Sequence, residues 1–280
     1  MKTIVTHQSP DLDSVASAWL IKRYIPEFQD AKLTLVAAGH TLEDMEVDAD
    51  PDIIHCDTGG GRFDHHHIVD PEKKHSATER VYTYLCEHNL LKQELIQPLG
   101  RISAYATLID HLGEINFPDP LNDRYDFALH MIIVGMKKTD MTDEAVYENA
   151  WNALDGILIV LREKGEAEQV LADAIEFNTK WGKGLAINSE NTAAQTMALF
   201  KGYVVVVQKN PKTGAARIKS IPDPKIDLTP AYNQIQKDDT AGEWFLHISK
   251  NMLLNASSKG AAMAPTALSL TQLQHILETA

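Results

Sequence analysis

TIVTHQSPDLDSVASAWLIKRYI, residues 3–25, begins as one kind of structure and ends as another. Residues 3–7 form a short apolar, β-branched run of the sort a buried strand uses. Further on, Val15, Ala18, Trp19 and Ile25 fall near one face at helical spacing, with Asp13 or Ser14 as the expected helix cap. LTLVAAG (33–39) and PDIIHCD (51–57) repeat the apolar run. Short strands alternating with helices predict a parallel sheet joined by crossover helices. Ligands of such sheets lie beyond the carboxyl ends of the strands, where His7 and Asp57 both fall.

Both strand ends carry unusual side chains. HQSPDLDS (7–14) holds His7, Asp11 and Asp13, and HCDTGGGRFDHHH (55–67) holds Asp57, three glycines and then Asp64, His65 and His66. Asp11 and Asp13, two apart in an extended turn, would aim at two neighbouring points, as a pair of metal ions about 3.5–4 Å apart requires. Asp57 would bridge them, while Gly59, Gly60 and Gly61 let the chain turn sharply and bring Asp64, His65 and His66 back to the same place. Carboxylates mixed with imidazole suit Mn²⁺ or Mg²⁺ better than a thiolate-seeking ion.

Downstream, helical patterns cover 76–91, roughly 94–112, 124–138, and a pair over about 142–164 and 166–186 separated by Gly165. Beyond about residue 193 the texture changes. YVVVVQKNPKTGAARIKSI (203–221) reads as a hairpin, 243–249 and 252–257 as further strands, and 269–277 as a closing helix capped by Ser269. The expected organisation is α/β: a parallel-sheet metal-binding domain over 1–120, a helical connecting region over 121–192, and a smaller mixed α/β substrate-binding domain over 193–280.

Composition narrows the function. The chain is 44% hydrophobic and 23% charged, normal for a folded soluble protein. Its net charge of −13 argues against a long groove for duplex nucleic acid but not against a short phosphorylated substrate. No apolar run is long enough for a membrane helix, and the start, MKTIVTHQSPDLD, has no signal-peptide core. Cys56 and Cys86 form no disulfide framework and fit a reducing cytoplasm as buried structural thiols.

HxxPDxDS, a strand-end Asp and then DHH together resemble the DHH phosphoesterase superfamily, which includes RecJ-type exonucleases, oligoribonucleases, cyclic-dinucleotide phosphodiesterases and manganese pyrophosphatases. The short spacing in DTGGGRFDHHH is most similar to the Myg family of exonucleases. The resemblance is strongest over residues 4–70. It implies a late aspartate completing the second metal site, for which Asp110 in YATLIDHLGE is the match. His7, Asp11 and Asp57 would then hold one ion, and Asp13, Asp57, His65 and Asp110 the other. Asp64 would orient His65, and His66 would face the scissile phosphate. A C-terminal segment gripping the rest of the substrate is also implied, with Lys250, Asn255, Ser257, Ser258 and Lys259 as its donors. The GGGH-type signature and the basic run of pyrophosphatases are both missing there.

The expected function is a two-metal, 3′–5′ exonuclease-like phosphoesterase acting on short single-stranded RNA or small nucleotides. The alternatives are a manganese-dependent pyrophosphatase and a non-catalytic metal-binding regulatory protein. The helical middle reads either as a homodimer surface or as a spacer.

Overall fold

The computed structural model describes residues 1–68, 74–256 and 264–280. The chain divides into two compact units, residues 1–162 and 163–280.

In the first unit, β1 (Thr3–His7) lies between β2 (Lys32–Val36) and β3 (Ile53–His55) in an all-parallel sheet of order β2-β1-β3. The crossover from β1 is α1 (Leu12–Tyr24), in which every residue from Leu12 to Ile21 is buried. Its apolar residues therefore do not make a stripe: the helix is covered all round, as a core helix is. Trp19 is fully buried within it, and its indole N–H donates to Asp155. The cap is Asp11, rather than Asp13 or Ser14. Asp11 Oδ1 accepts from the Ser14 N–H at 2.9 Å and Ser14 Oγ accepts from the Asp11 N–H at 3.1 Å, a reciprocal capping box.

Four more helices follow: α2 (Ala77–Glu87), α3 (Gln93–Asp110), α4 (Leu129–Met136) and α5 (Asp143–Ala172). α2 and α3 pack with α1 through Val81, Leu85, Leu99 and Ile102. The first half of α5 joins the same core through Val146, Tyr147, Ala150 and Leu154.

α5 runs unbroken through Gly165, where the sequence pattern predicts a break between two helices. One glycine costs a helix only about 1 kcal/mol relative to alanine, too little to end it against good flanking formers. The segment expected to be the second helix instead ends α5 and then forms β4 (Ile175–Thr179) and β5 (Gly182–Asn188), an antiparallel hairpin. Gly184 is tied to that pairing, because a Cβ there would lie 2.5 Å from the Phe177 ring.

The second unit is a mixed six-stranded sheet of order β4-β5-β6-β7-β9-β8, with β6 (Val205–Lys209), β7 (Ala216–Ser220), β8 (Trp244–Leu246) and β9 (Met252–Asn255). α6 (Thr192–Phe200) covers one face over β5 and β6, where Ala194 and Ala198 meet Leu185, Ile187 and Val206. α7 (Thr229–Asp238) and α8 (Leu270–Thr279) cover the other face over Val205, Val207, Ile218 and Leu253. Ser269 caps α8 as expected. No helix among the described residues is long and apolar enough to cross a membrane.

Candidate metal centre

The carboxyl ends of β1 and β3 bring His7 and Asp57 together, with His7 Nε2 3.2 Å from Asp57 Oδ2. The chain enters the site at Asp57 with φ of +55°, a left-handed backbone that aspartate tolerates better than most side chains. It then turns through Gly59 and Gly60, at φ of +80° and +74°, and the Asp57 N–H closes the loop onto the Phe63 carbonyl at 3.0 Å. Gly61 is required for a different reason: a Cβ there would sit 2.5 Å from Val47 Cγ2.

The loop returns His65 to the cluster. Its Nε2 faces three carboxylates at once, Asp57 Oδ1 at 3.5 Å and the Oδ2 atoms of Asp13 and Asp110 at 3.6 Å. Asp110 is the last residue of α3. Asp11 Oδ2, the oxygen not used to cap α1, lies 3.6 Å from His7 Nε2. Six residues from β1, the start of α1, β3, the glycine loop and α3 thus converge. Asp57 Oδ1 and His65 Nε2 are buried there without a hydrogen-bond partner.

The protonation of the cluster follows from this crowding. His7 Nδ1 meets the Gln8 carbonyl at 2.7 Å, and a carbonyl only accepts, so Nδ1 carries a proton. Nε2 then faces Asp57 and Asp11 either with a second proton or with a lone pair shared with a cation. Burial pulls the His7 pKa down, but the Asp57 and Asp11 carboxylates outweigh it and raise it to about 9. For His65 burial is likewise outweighed, by Asp57, Asp110 and Asp13, and the pKa again rises to about 9. Burial and the charge of Asp57 push Asp13 up to about 7, and burial also raises Asp110. Asp57, despite its own burial, is held down at about 2 by the two imidazoles. A site that must recruit protons to offset its carboxylates is one that divalent cations fit. The donor set, the two orphaned buried atoms and the fixed His7 tautomer all agree with that. Among the described residues, three groups have ligand atoms within 4.8 Å of one another: His7–Asp11–Asp57, Asp57–His65–His66 and His65–Asp110–His111.

Two expected roles change. Asp64 is expected to orient His65, but its Oδ1 lies 2.7 Å from His66 Nδ1 and also accepts the His66 backbone N–H at 3.1 Å, while Oδ2 accepts from Gly60 at 2.7 Å. Asp64 therefore holds His66, whose side chain is 64% exposed. Asp13 does more than face His65: its two oxygens accept the N–H groups of Ala77 at 2.7 Å and Thr78 at 2.9 Å, anchoring the N-terminus of α2. The first of these bonds spans 64 residues, and no local pattern announces it.

Of the expected substrate-gripping residues, Asn255 is committed elsewhere. Its amide donates to the carbonyls of Glu243 and Ala264, and its oxygen accepts from Thr266, so it clamps backbone. Lys250 pairs with Asp227 at 3.1 Å. Ser257, Ser258 and Lys259 lie outside the described residues. His111, given no role from sequence, has Nε2 2.8 Å from the His75 carbonyl and 3.7 Å from Asp110. Its position directly after Asp110 is the available signal. His55 is a core histidine whose Nε2 accepts the Leu42 N–H, and burial lowers its pKa. Burial pushes the Cys56 thiol up to about 12, which fits an inert core residue.

A family model described as ChrB, C-terminal domain, matches residues 4–161. No curated protein matches the sequence. Among solved structures, the chain is similar to RecJ in complex with Mg²⁺ from Thermus thermophilus, at 12% identity and a TM-score of 0.34, covering 99% of this chain. The chain spans about half (49%) the length of that RecJ chain. It is also similar to PggH, a pGpG-specific phosphodiesterase from Vibrio cholerae, at 15% identity and a TM-score of 0.32, covering 90% of this chain and 92% of the other.

Proposed function

The chain belongs to the ChrB C-terminal domain family, and within it we propose a divalent-metal-dependent phosphoesterase that hydrolyses phosphodiester bonds in short single-stranded RNA or small nucleotides. One observation carries this reading. His7, Asp11, Asp13, Asp57, His65 and Asp110 converge on a point where Asp57 Oδ1 and His65 Nε2 are buried without partners. The DHH-type motif supports it, and the Myg-like spacing of DTGGGRFDHHH favours an exonuclease.

His7, Asp11 and Asp57 would hold one cation, and Asp57, His65 and Asp110 a second, with Asp13 at its edge. Bound there, two Mn²⁺ or Mg²⁺ ions would offset the negative charge of a phosphodiester and lower the pKa of a water. The residues around them do the rest. Asp57 presents one oxygen towards His7 and the other towards His65, the arrangement a bridging carboxylate needs. Asp64 engages His66 through Nδ1, which leaves Nε2 as the atom available to a substrate. Protonated there, His66 would hydrogen-bond a phosphate oxygen or pass its proton to the leaving oxygen.

The test is hydrolysis, with Mn²⁺ or Mg²⁺ supplied, of a 5-mer RNA, a 5-mer DNA, pAp, a cyclic dinucleotide and pyrophosphate. Shortening of the RNA or cleavage of a nucleotide is expected. Asp57→Ala should abolish both turnover and metal binding; turnover that survives it would defeat the two-metal reading. Cleavage of pyrophosphate alone would make the protein a pyrophosphatase. Metal binding with silence across the panel would move it to a regulatory role.

A further inference from the structure

Asp143, Tyr147, Trp151 and Asp155 stand four residues apart along α5, the spacing of a single ridge on a helix surface. Each reaches the segment that carries His7, Asp11 and Asp13. Asp143 Oδ2 accepts the Ser9 N–H at 2.7 Å, and the Tyr147 hydroxyl donates to the His7 carbonyl at 2.9 Å. The Trp151 indole donates to the Val15 carbonyl at 3.0 Å, and Asp155 accepts from the Trp19 indole at 2.9 Å and from the Arg23 guanidinium. The first two bonds fall on His7 and on the residue midway between His7 and Asp11, while the last two hold α1 farther along.

Ser9 is the strained point of that segment. Its φ is +60°, a left-handed backbone that a residue with a side chain keeps only where its surroundings hold it. Pro10 adds to the difficulty, because the residue before a proline is biased towards extended backbone. Ser9 is exposed, so bonds rather than burial supply the hold. Asp143 takes its N–H, and the Lys137 ammonium at the end of α4 donates to its hydroxyl at 3.1 Å and its carbonyl at 3.4 Å. An acid in the first turn of a helix is ordinarily favoured by the dipole, and Glu144 has the same claim. What Asp143 adds is the bond to Ser9, across 134 residues.

We infer that Asp143 and Tyr147 are positioning residues of the metal centre: Tyr147 fixes the His7 backbone and Asp143 keeps Ser9 left-handed, so that His7 and Asp11 face Asp57 together. Both act through the main chain, on His7 by its own carbonyl and on Asp11 by the turn that leads into it. Groups that hold metal ligands in place from outside are worth about 10- to 100-fold in affinity. The inference rests on the metal-centre reading, and ion binding is testable without turnover.

The experiment is isothermal titration of the metal-stripped full chain with Mn²⁺, with circular dichroism on each variant. Asp143→Ala should weaken one ion, the one lost in His7→Ala, about tenfold, and the other less than about threefold. Asp143→Asn, which keeps an acceptor oxygen for Ser9, should bind within about threefold of the parent. In a Ser9→Gly background Asp143→Ala should cost less than about threefold, because glycine holds a left-handed backbone unaided. A bond that merely stiffened the fold would cost the same in both backgrounds. Tyr147→Phe should weaken the same ion about tenfold. Asp155→Asn, at the far end of the row, should lower the melting temperature and shift neither affinity, and Glu144→Ala should shift neither affinity. If Tyr147→Phe does not fold, the Asp143 and Ser9 variants, which alter an accessible turn, carry the test. Asp143→Ala that binds both ions like the parent, that weakens both equally, or that loses as much in the Ser9→Gly background overturns the inference and leaves the metal centre standing. A parent chain that binds no Mn²⁺ overturns both.

Discussion

Asp64→Asn tests whether the aspartate of the DHH triplet works through His66. Asp64 is 2% exposed and accepts three hydrogen bonds: from the Gly60 N–H at 2.7 Å, from the His66 N–H at 3.1 Å, and at 2.7 Å from His66 Nδ1. Those bonds outweigh burial and hold its carboxyl below the usual range. An asparagine has one oxygen, so its amide must turn towards Gly60 or towards His66, and either way donor meets donor. Losing one charge-assisted bond and stranding its partner costs about 2 kcal/mol. For a unit of this size that is a fall in melting temperature of about 4–8 °C. Because the folded pKa lies below the unfolded one, the carboxylate's contribution is present above about pH 4 and fades as pH falls through the folded value. The difference between variant and parent should therefore shrink in acid. Function should suffer more than stability. With the His66 ring unheld, hydrolysis should drop about 100-fold, whereas metal affinity, which the proposal assigns to His7, Asp11, Asp57, His65 and Asp110, should change little. Isothermal titration with Mn²⁺ beside turnover of the RNA 5-mer separates the two. Metal affinity that collapses in step with activity, or a variant as active as the parent, would refute the assignment.

Other expectations follow from the same geometry. Addition of Mn²⁺ at about 100 times its Kd should stabilise the chain by about 2.7 kcal/mol in thermal melts, and Asp57→Ala should erase that increment. Asp239→Asn should cost about 3 kcal/mol in urea denaturation followed by circular dichroism. Asp239 Oδ2 accepts the Trp244 indole N–H at 2.8 Å, and an amide turned there would leave a buried donor facing a donor, whereas turning it the other way sacrifices the Gly242 bond at 2.9 Å. Gly61→Ala should destabilise the first unit by about 1–3 kcal/mol, because its Cβ would press into Val47 and Asp48; calorimetry would show this as a lower-temperature transition.

The first unit's framework is legible in the sequence because its signals are local. A strand that runs into a helix shows itself in residues 3–25, and His7 and Asp57 at the ends of the first and third strands announce where a ligand belongs. What the sequence hides is partnership at a distance. Nothing near Asp13 indicates that it holds the N–H groups of Ala77 and Thr78, and nothing in DHH reveals that Asp64 turns to His66. The cap of α1 is ambiguous in sequence because Asp11, Asp13 and Ser14 are all good caps, and only the reciprocal bond between Asp11 and Ser14 chooses among them. The β4–β5 hairpin is obscured by the helical pattern before it, although Gly182 and Gly184, two glycines within three residues, are a sign that no helix crosses there. α7 is the least legible helix, its best local sign being Pro230 in the first turn, a position proline favours.

The carboxylates of the metal cluster are also unequal in what else depends on them. Asp11 spends one oxygen starting α1, and Asp13 spends both on α2, whereas among the described residues neither Asp110 nor the side chain of His66 caps a helix. A lineage that abandoned the chemistry would feel selection to keep the first pair long after it had stopped needing the second. The order in which these residues erode across relatives would then record a loss of the proposed chemistry: Asp110 and His66 vary first, Asp11 and Asp13 last.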